Sequence, residues 1–253
     1  MFDYKPGNSP VHLLNPVTKL AVAVGLTVIV FLLPNPWGPA LIAVALLGVA
    51  AVAGFLGGVA KLAAVTTGPL LVAVVLVQGL FYTGNETPLI VFGPVTFWEE
   101  GPYYGLLVYF RVLAVVCAVL IMVFSTYPKT MMVAFIDKGL SPKLAYVFMA
   151  SLQFIPDMQR RARAIIEAQQ ARGLDLEANI WSRFQALLAM MIPLLTGALI
   201  SVETRSLALE ARGFSRGGVR SHLIEVPDRT TDRIIRWSMA AMVVLVAVWR
   251  IVL

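Results

Sequence analysis

Between Val17 and Phe124 the chain carries only six charged side chains: Lys19, Lys61, Glu86, Glu99, Glu100 and Arg111. Segments this poor in charge belong in lipid, where every backbone N–H and C=O must be satisfied within the segment, so they read as membrane helices. The first span is expected over about 17–33, a second over 40–56, a third over 62–82, a fourth over 104–124 and a last over 234–253. Pro34, Pro36 and Pro39 punctuate the first connection, and Gly57, Gly58 and Lys61 mark a short turn before the third span. Pro69 is expected to kink that span. Hydrophobic residues make up 59% of the 253 and charged residues 13%, about half the share usual in soluble domains. The fold class is therefore all-α, a polytopic helical membrane protein of about five spans. Residues 1–126 form an N-terminal region of four spans, 127–233 a central region outside the hydrocarbon, and 234–253 a C-terminal span.

Charge is concentrated in the central region. Of 20 Lys and Arg residues, 15 lie between Lys129 and Arg236, whereas the loop over 83–102 holds Glu86, Glu99 and Glu100 without a single Lys or Arg. The positive-inside rule then puts the N-terminus and the central region in the cytoplasm. The first 16 residues, polar and proline-containing, do not resemble a cleavable signal peptide. Lys19 is placed to snorkel at the start of the first span, and Arg111 either snorkels at the outer surface or faces a partner. The single cysteine, Cys117, lies in an apolar run and reads as a small core hydrophobe.

The central region resolves into three helices over about 129–138, 142–172 and 182–212, with a bend expected at Pro156. The second and third end on the same tripeptide, Ala171-Arg172-Gly173 and Ala211-Arg212-Gly213, 40 residues apart. Glycine accepts the left-handed backbone at the position just past a helix, so each arginine sits at a helix tip. There the negative end of the macrodipole favours a cation, and the guanidinium projects five donors beyond the helix. Leu144, Phe148 and Leu152 share one apolar face of the second helix, and Leu187, Met191 and Leu195 share one on the third. The run over 184–200 is apolar enough to span, but a crossing would put the two tips on opposite sides of the membrane. A helix lying along or just beneath the bilayer is preferred.

These features resemble the T component, of EcfT/CbiQ type, of energy-coupling factor (ECF) importers. The paired tips are similar to that family's coupling helices. Phe154-Ile155-Pro156 with Glu167 to Gly173 matches the first, and Ile192-Pro193-Leu194-Leu195 with Leu207 to Phe214 matches the second. The stretch from His12 to Leu20 is similar to its amino-terminal signature. The resemblance implies an L-shaped subunit of a prokaryotic cell membrane in which Ala171, Arg172, Gly173, Ala211, Arg212 and Gly213 dock two ABC-type ATPases. Glu167, Glu210, Pro156 and Pro193 would support those helices. Leu144, Phe148, Leu152, Leu187, Met191 and Leu195 would contact an integral-membrane substrate-binding S component. ATP and Mg would be bound by the ATPases, and the cargo would be a vitamin or a transition metal such as cobalt or nickel.

Other function classes fit less well. The sequence has no phosphate-cradling Gly-x-x-x-x-Gly-Lys-Ser/Thr loop, no His-Glu-x-x-His pair and no Gly-x-Ser-x-Gly elbow, so a bound cofactor, a metal or a catalytic role is not expected. No aromatic platform accompanies the basic residues, which excludes a nucleic-acid partner in favour of lipid and protein. A conventional ABC permease would carry a Glu-Ala-Ala-x-x-x-Gly loop. Glu167, Ala168 and Gly173 fall at those offsets, but Gln169 breaks the pattern and the second tripeptide is left without a role.

Overall fold

The computed structural model describes residues 7, 9–81, 88–92, 95–98, 100–173, 180–214, 216 and 226–252. The expectations for Glu86 and Glu99 lie outside the described residues. The chain is helical apart from one short hairpin, in the order α1 (Pro10–Leu13), α2 (Pro16–Leu32), α3 (Trp37–Val52), α4 (Leu56–Phe81), β1 (Pro88–Phe92), β2 (Val95–Trp98), α5 (Glu100–Ser125), α6 (Pro128–Asp137), α7 (Pro142–Ala171), α8 (Ile180–Ala211) and α9 (Thr230–Val252). Among the described residues four stretches are long and apolar enough to cross a membrane: α4, α5, α9 and the Leu187–Ala211 part of α8. At 17 and 16 residues, α2 and α3 are apolar but shorter.

The chain divides into two compact units. The first comprises 1–138 and 224–253, the second 139–223. In the first, α5 packs on α2, α3 and α4, while α9 packs on α2. Its core is Phe55, Val59, Ala63, Cys117, Ile121 and Phe124. The close approach of α5 to α4 depends on two glycines four residues apart. A Cβ on Gly101 would stand 2.3 Å from the carbonyl oxygen of Gln78, and one on Gly105 would stand 3.2 Å from the Cα of Val75. Small residues at this spacing let two membrane helices meet backbone to backbone.

Helix boundaries lie within a few residues of expectation except at the start of α4. Gly57, Gly58 and Lys61 belong to its first turns, and the chain reverses earlier, at Gly54, which has φ +83°. The helix continues through Pro69. The acidic loop contains the antiparallel β1–β2 hairpin, with Phe92 paired to Val95 and Val91 to Thr96.

Lys19 does not snorkel. It is 8% exposed, and its Nζ donates to the backbone oxygens of Ser125 at 2.8 Å and His12 at 3.5 Å. Arg111 turns inward as well. Its Nη2 donates to the Leu33 carbonyl at 2.7 Å, and its guanidinium lies over the Phe31 ring. Leu33 caps the C-terminus of α2, so Arg111 brings a cation to the negative end of that helix.

A polar knot fastens α9 to the start of α2. Asp232, 1% exposed, accepts from the backbone N–H of Asn15 at 3.0 Å and of Arg229 at 3.2 Å. It is the third residue of α9 and reaches back to the residue before the helix, as the acidic half of a capping box does. Arg236 donates to Thr18 Oγ1 at 2.9 Å and, through both guanidinium nitrogens, to Asp228, which also pairs with Lys138. The Asn15 side chain caps α2 by accepting from the N–H of Val17 at 2.9 Å.

Candidate functional site: the two arginine-tipped helices

The second unit is built on α7 and α8. Ser141 opens α7 as an N-cap, its hydroxyl facing the N–H of Leu144, and Pro142 takes the first helical position where no donor is missed. Both helices run unbroken through their prolines, Pro156 and Pro193. Each ends where its tripeptide says. Gly173 has φ +91° and Gly213 φ +70°, the left-handed conformation that an L side chain adopts only with strain.

The bonds at the tips explain why the arginines project. The N–H of Gly173 donates to Gln170 O at 2.9 Å, and that of Gly213 donates to Glu210 O at 2.9 Å. At the second tip Phe214 N–H also reaches Leu209 O at 2.9 Å, which completes a Schellman motif. The Phe214 ring then packs on Tyr146 of α7, with centroids 5.2 Å apart. Arg172 and Arg212 are exposed, and neither side chain has a partner among the described residues. Ala171 and Ala211, the last residues of the two helices, are exposed too. Glu167 and Glu210 are exposed but not equivalent, since one precedes its arginine by five residues and the other by two.

The two helices run antiparallel. Arg161 of α7 donates to Gly197 O at 2.8 Å and to Ser201 Oγ at 2.6 Å on α8. Asp157 accepts from Arg160 on its own helix and from Arg205 of α8 at 3.0 Å. These bonds, that from Arg160 first, hold its carboxyl below the usual carboxylate range. Sequence reasoning missed this lattice, because an Arg-rich helix face looks solvated until its partner is known. Arg161 and Ser201 each precede their tip arginine by 11 residues. At 1.5 Å per residue each tip is about 16 Å beyond the contact in opposite directions, so the guanidinium groups stand roughly 30 Å apart at opposite ends of the pair.

Along the pair the apolar faces stay open. Leu144, Phe148, Leu187, Met191 and Leu195 are each about half exposed or more, and Leu152 is partly covered. A cleft of about 610 Å³ between the helices is lined by Tyr146, Ala150, Phe154, Val202 and Leu209, with Arg205 at its edge. Among the described residues no group of three or more His, Cys, Asp or Glu could hold a metal ion.

Comparison with known sequences gives this architecture its kin. The sequence profile of CbiQ, cobalt transport protein, matches residues 7–223. The chain belongs to the CbiQ family. It is 26% identical over 264 residues to the energy-coupling factor transporter transmembrane protein EcfT of Lactococcus lactis, covering 98% of this chain and 97% of that one. With the EcfT of Lacticaseibacillus paracasei it shares 30% over 249 residues, 92% of this chain and 88% of the relative. A putative ABC transporter ATP-binding protein of Bifidobacterium longum is 30% identical over 230 residues, which is 86% of this CbiQ-family chain but 29% of that longer protein.

Proposed function

We propose that this chain is the membrane energy-coupling subunit of an ECF-type ABC importer, carrying ATP-driven motion of two ATPases to a substrate-binding S component for vitamin or transition-metal uptake. The observation that carries it is the pair of arginines, without a side-chain partner among the described residues, at opposite ends of two antiparallel helices, each presented by a glycine-ended tip. Two tips roughly 30 Å apart suit two separate grooves, one on each ATPase, whereas a permease with one coupling loop has no use for the second. The Bifidobacterium relative supports the same assignment, since a chain like this one accounts for under a third of a protein named as ATP-binding. Chemistry stays in the partners; this subunit transmits force and binds neither ATP nor Mg.

In this reading α2, α3, α4, α5 and α9 cross the bilayer, with the N-terminus in the cytoplasm, and residues 127–233 form the coupling region of an L-shaped subunit between the spanning regions 1–126 and 234–253. The length of α8 alone would allow it to cross. Its partner argues otherwise, because α7 brings Asp157, Arg160, Arg161, Arg163 and Glu167 alongside, and Arg160 is 78% exposed. A charge at the bilayer centre costs about 2.5–3.5 kcal/mol, so five of them keep the pair at the cytoplasmic surface. The open apolar faces, with Leu144, Phe148, Leu152, Leu187, Met191 and Leu195, then meet lipid and the S component.

Reversing the charge of both tips, Arg172→Glu with Arg212→Glu, is expected to abolish copurification with the ATPases or to uncouple ATP hydrolysis from uptake. Normal assembly and uptake in the double variant would refute the assignment.

A further inference from the structure

The first unit holds two cavities that meet at Lys19. One, of about 340 Å³, is an apolar cleft between α2, α3 and α5, lined by Val22, Leu26, Leu41, Ala45, Val49 and Met122. The other, of about 230 Å³, is polar and lies where α2 begins, α5 ends and α9 begins. Its walls include His12, Thr126, Tyr127, Thr130 and Arg229. Leu14, Lys19 and Ser125 line both.

Among the described residues the cations of the polar cavity meet no free carboxylate. Lys19, 8% exposed, has two backbone carbonyls as its hydrogen-bond acceptors, and among the described residues no carboxylate oxygen lies within 4 Å of its Nζ. The neighbouring carboxylates are already engaged, Asp232 by backbone N–H groups and Asp228 by Lys138 and Arg236. The Arg229 guanidinium, exposed at the cavity, has no partner among the described residues. Thr126 is 7% exposed, and its Oγ1 is buried with no hydrogen-bond partner. A buried hydroxyl without a partner and an ammonium bonded to carbonyls, within electrostatic reach of Asp232 but in no salt bridge, belong to residues that line one small space, which suits an anion with several acceptor oxygens.

We propose that the joined cavities bind one anionic phospholipid, its phosphate headgroup held by Lys19, Arg229 and Thr126 and an acyl chain lying in the cleft between α2, α3 and α5. Depth and charge both point to lipid. The polar cavity is at the end of the helix bundle that gathers Lys61, Lys129, Lys138, Arg229 and Arg233, where anionic headgroups of the inner leaflet concentrate. The cleft leads from there along the spans, and its lining is hydrocarbon. A bound lipid would tie the start of α9 to α2 and α5 through its phosphate. This inference needs only that the bundle sits in a membrane with its basic end at the inner leaflet, so it stands apart from the ECF assignment.

The test is native mass spectrometry of the full chain in a non-ionic detergent, titrated with dioleoyl phosphatidylglycerol or dioleoyl phosphatidylcholine. A single phosphatidylglycerol is expected to be retained, with phosphatidylcholine at least about five-fold weaker, and Arg229→Gln or Lys19→Gln should each weaken retention about five-fold, as expected for one cation beside an anionic lipid. Thr126→Val should weaken it less while leaving the lipid-free protein as stable as before, since it removes an unsatisfied group. Ala45→Trp, which fills the cleft from an exposed position, should displace the lipid with the polar cavity intact. Equal retention of the two lipids, or no response to both Arg229→Gln and Ala45→Trp, overturns the proposal. So does displacement by glycerol phosphate at the lipid's own concentration, which would make the site a simple anion pocket.

Discussion

The two units of this protein dispose of their polar groups in opposite ways. In the first, Asp232, Lys19, Thr18 and Asn15 are buried at the foot of the bundle and are each bonded to another part of the unit. In the second, almost nothing among the described residues is buried beyond Ala145, and the tip arginines, Arg172 and Arg212, have no side-chain partner among them. Apart from the cavity at Lys19 and Thr126, the first unit bonds its buried polar groups within itself, while the second is a pair of helices whose cross-links fix a crossing and whose ends and faces are left open. In the proposed reading, that contrast suits a connector: an anchor in the bilayer and a two-rod device whose bonds would be finished by other chains.

The difference can be broken from either side. The largest effect is expected from the charge reversal at both tips, which removes coupling altogether yet leaves the unfolding midpoint of the isolated subunit nearly unchanged. The macrodipole contribution lost at each tip is only about 0.3–1 kcal/mol. Next comes Asp232→Ala. It strands the N–H groups of Asn15 and Arg229 in a buried site and is expected to destabilise the first unit by about 2–4 kcal/mol, read as a fall in the thermal midpoint with binding of ATPases by the surviving folded protein intact. Smaller again is Gly213→Ala, where a Cβ at φ +70° costs about 1–2 kcal/mol. It should appear as faster amide exchange at Arg212 and Phe214 and weaker ATPase binding, without a change at α2 or α9.

The smallest effect is acid sensitivity of the clamp on α9. Hydrogen bonds from Arg236, then Lys138, hold the Asp228 carboxyl down to about 2. A carboxylate whose folded value is depressed contributes its full stabilisation above its unfolded value of about 4 and loses it as pH falls through the folded one. The midpoint of unfolding should therefore drop between about pH 4 and 2, and Asp228→Asn should flatten that drop.

Sequence alone yielded the helices and the tips because both are local. A glycine after an arginine ends α7 and α8 by rules that act over a single turn, and the apolar periodicity around Leu187 and Met191 needs no knowledge of the partner. The polar knot was illegible for the opposite reason, since Asn15 and Asp232 are 217 residues apart and nothing near either announces the other. Lys19 misled because a lysine one turn into a membrane helix snorkels unless a carbonyl such as that of Ser125 is brought to it. The β1–β2 hairpin did leave a signal, two short runs rich in branched and aromatic residues around Gly93-Pro94. In the sequence the acidity of 83–102 masks that signal, and the run reads as a loop.

Everything about force transmission requires Arg172 and Arg212 to face the same compartment. Cys117 is buried, so single cysteines introduced as Arg172→Cys and Arg212→Cys would be the accessible thiols, to be probed with a membrane-impermeant maleimide in right-side-out and inside-out vesicles. Both positions are expected to react only in inside-out vesicles, where the cytoplasmic face is exposed. Labelling of one tip from each side would mean that α8 crosses the bilayer, and the coupling account would be wrong.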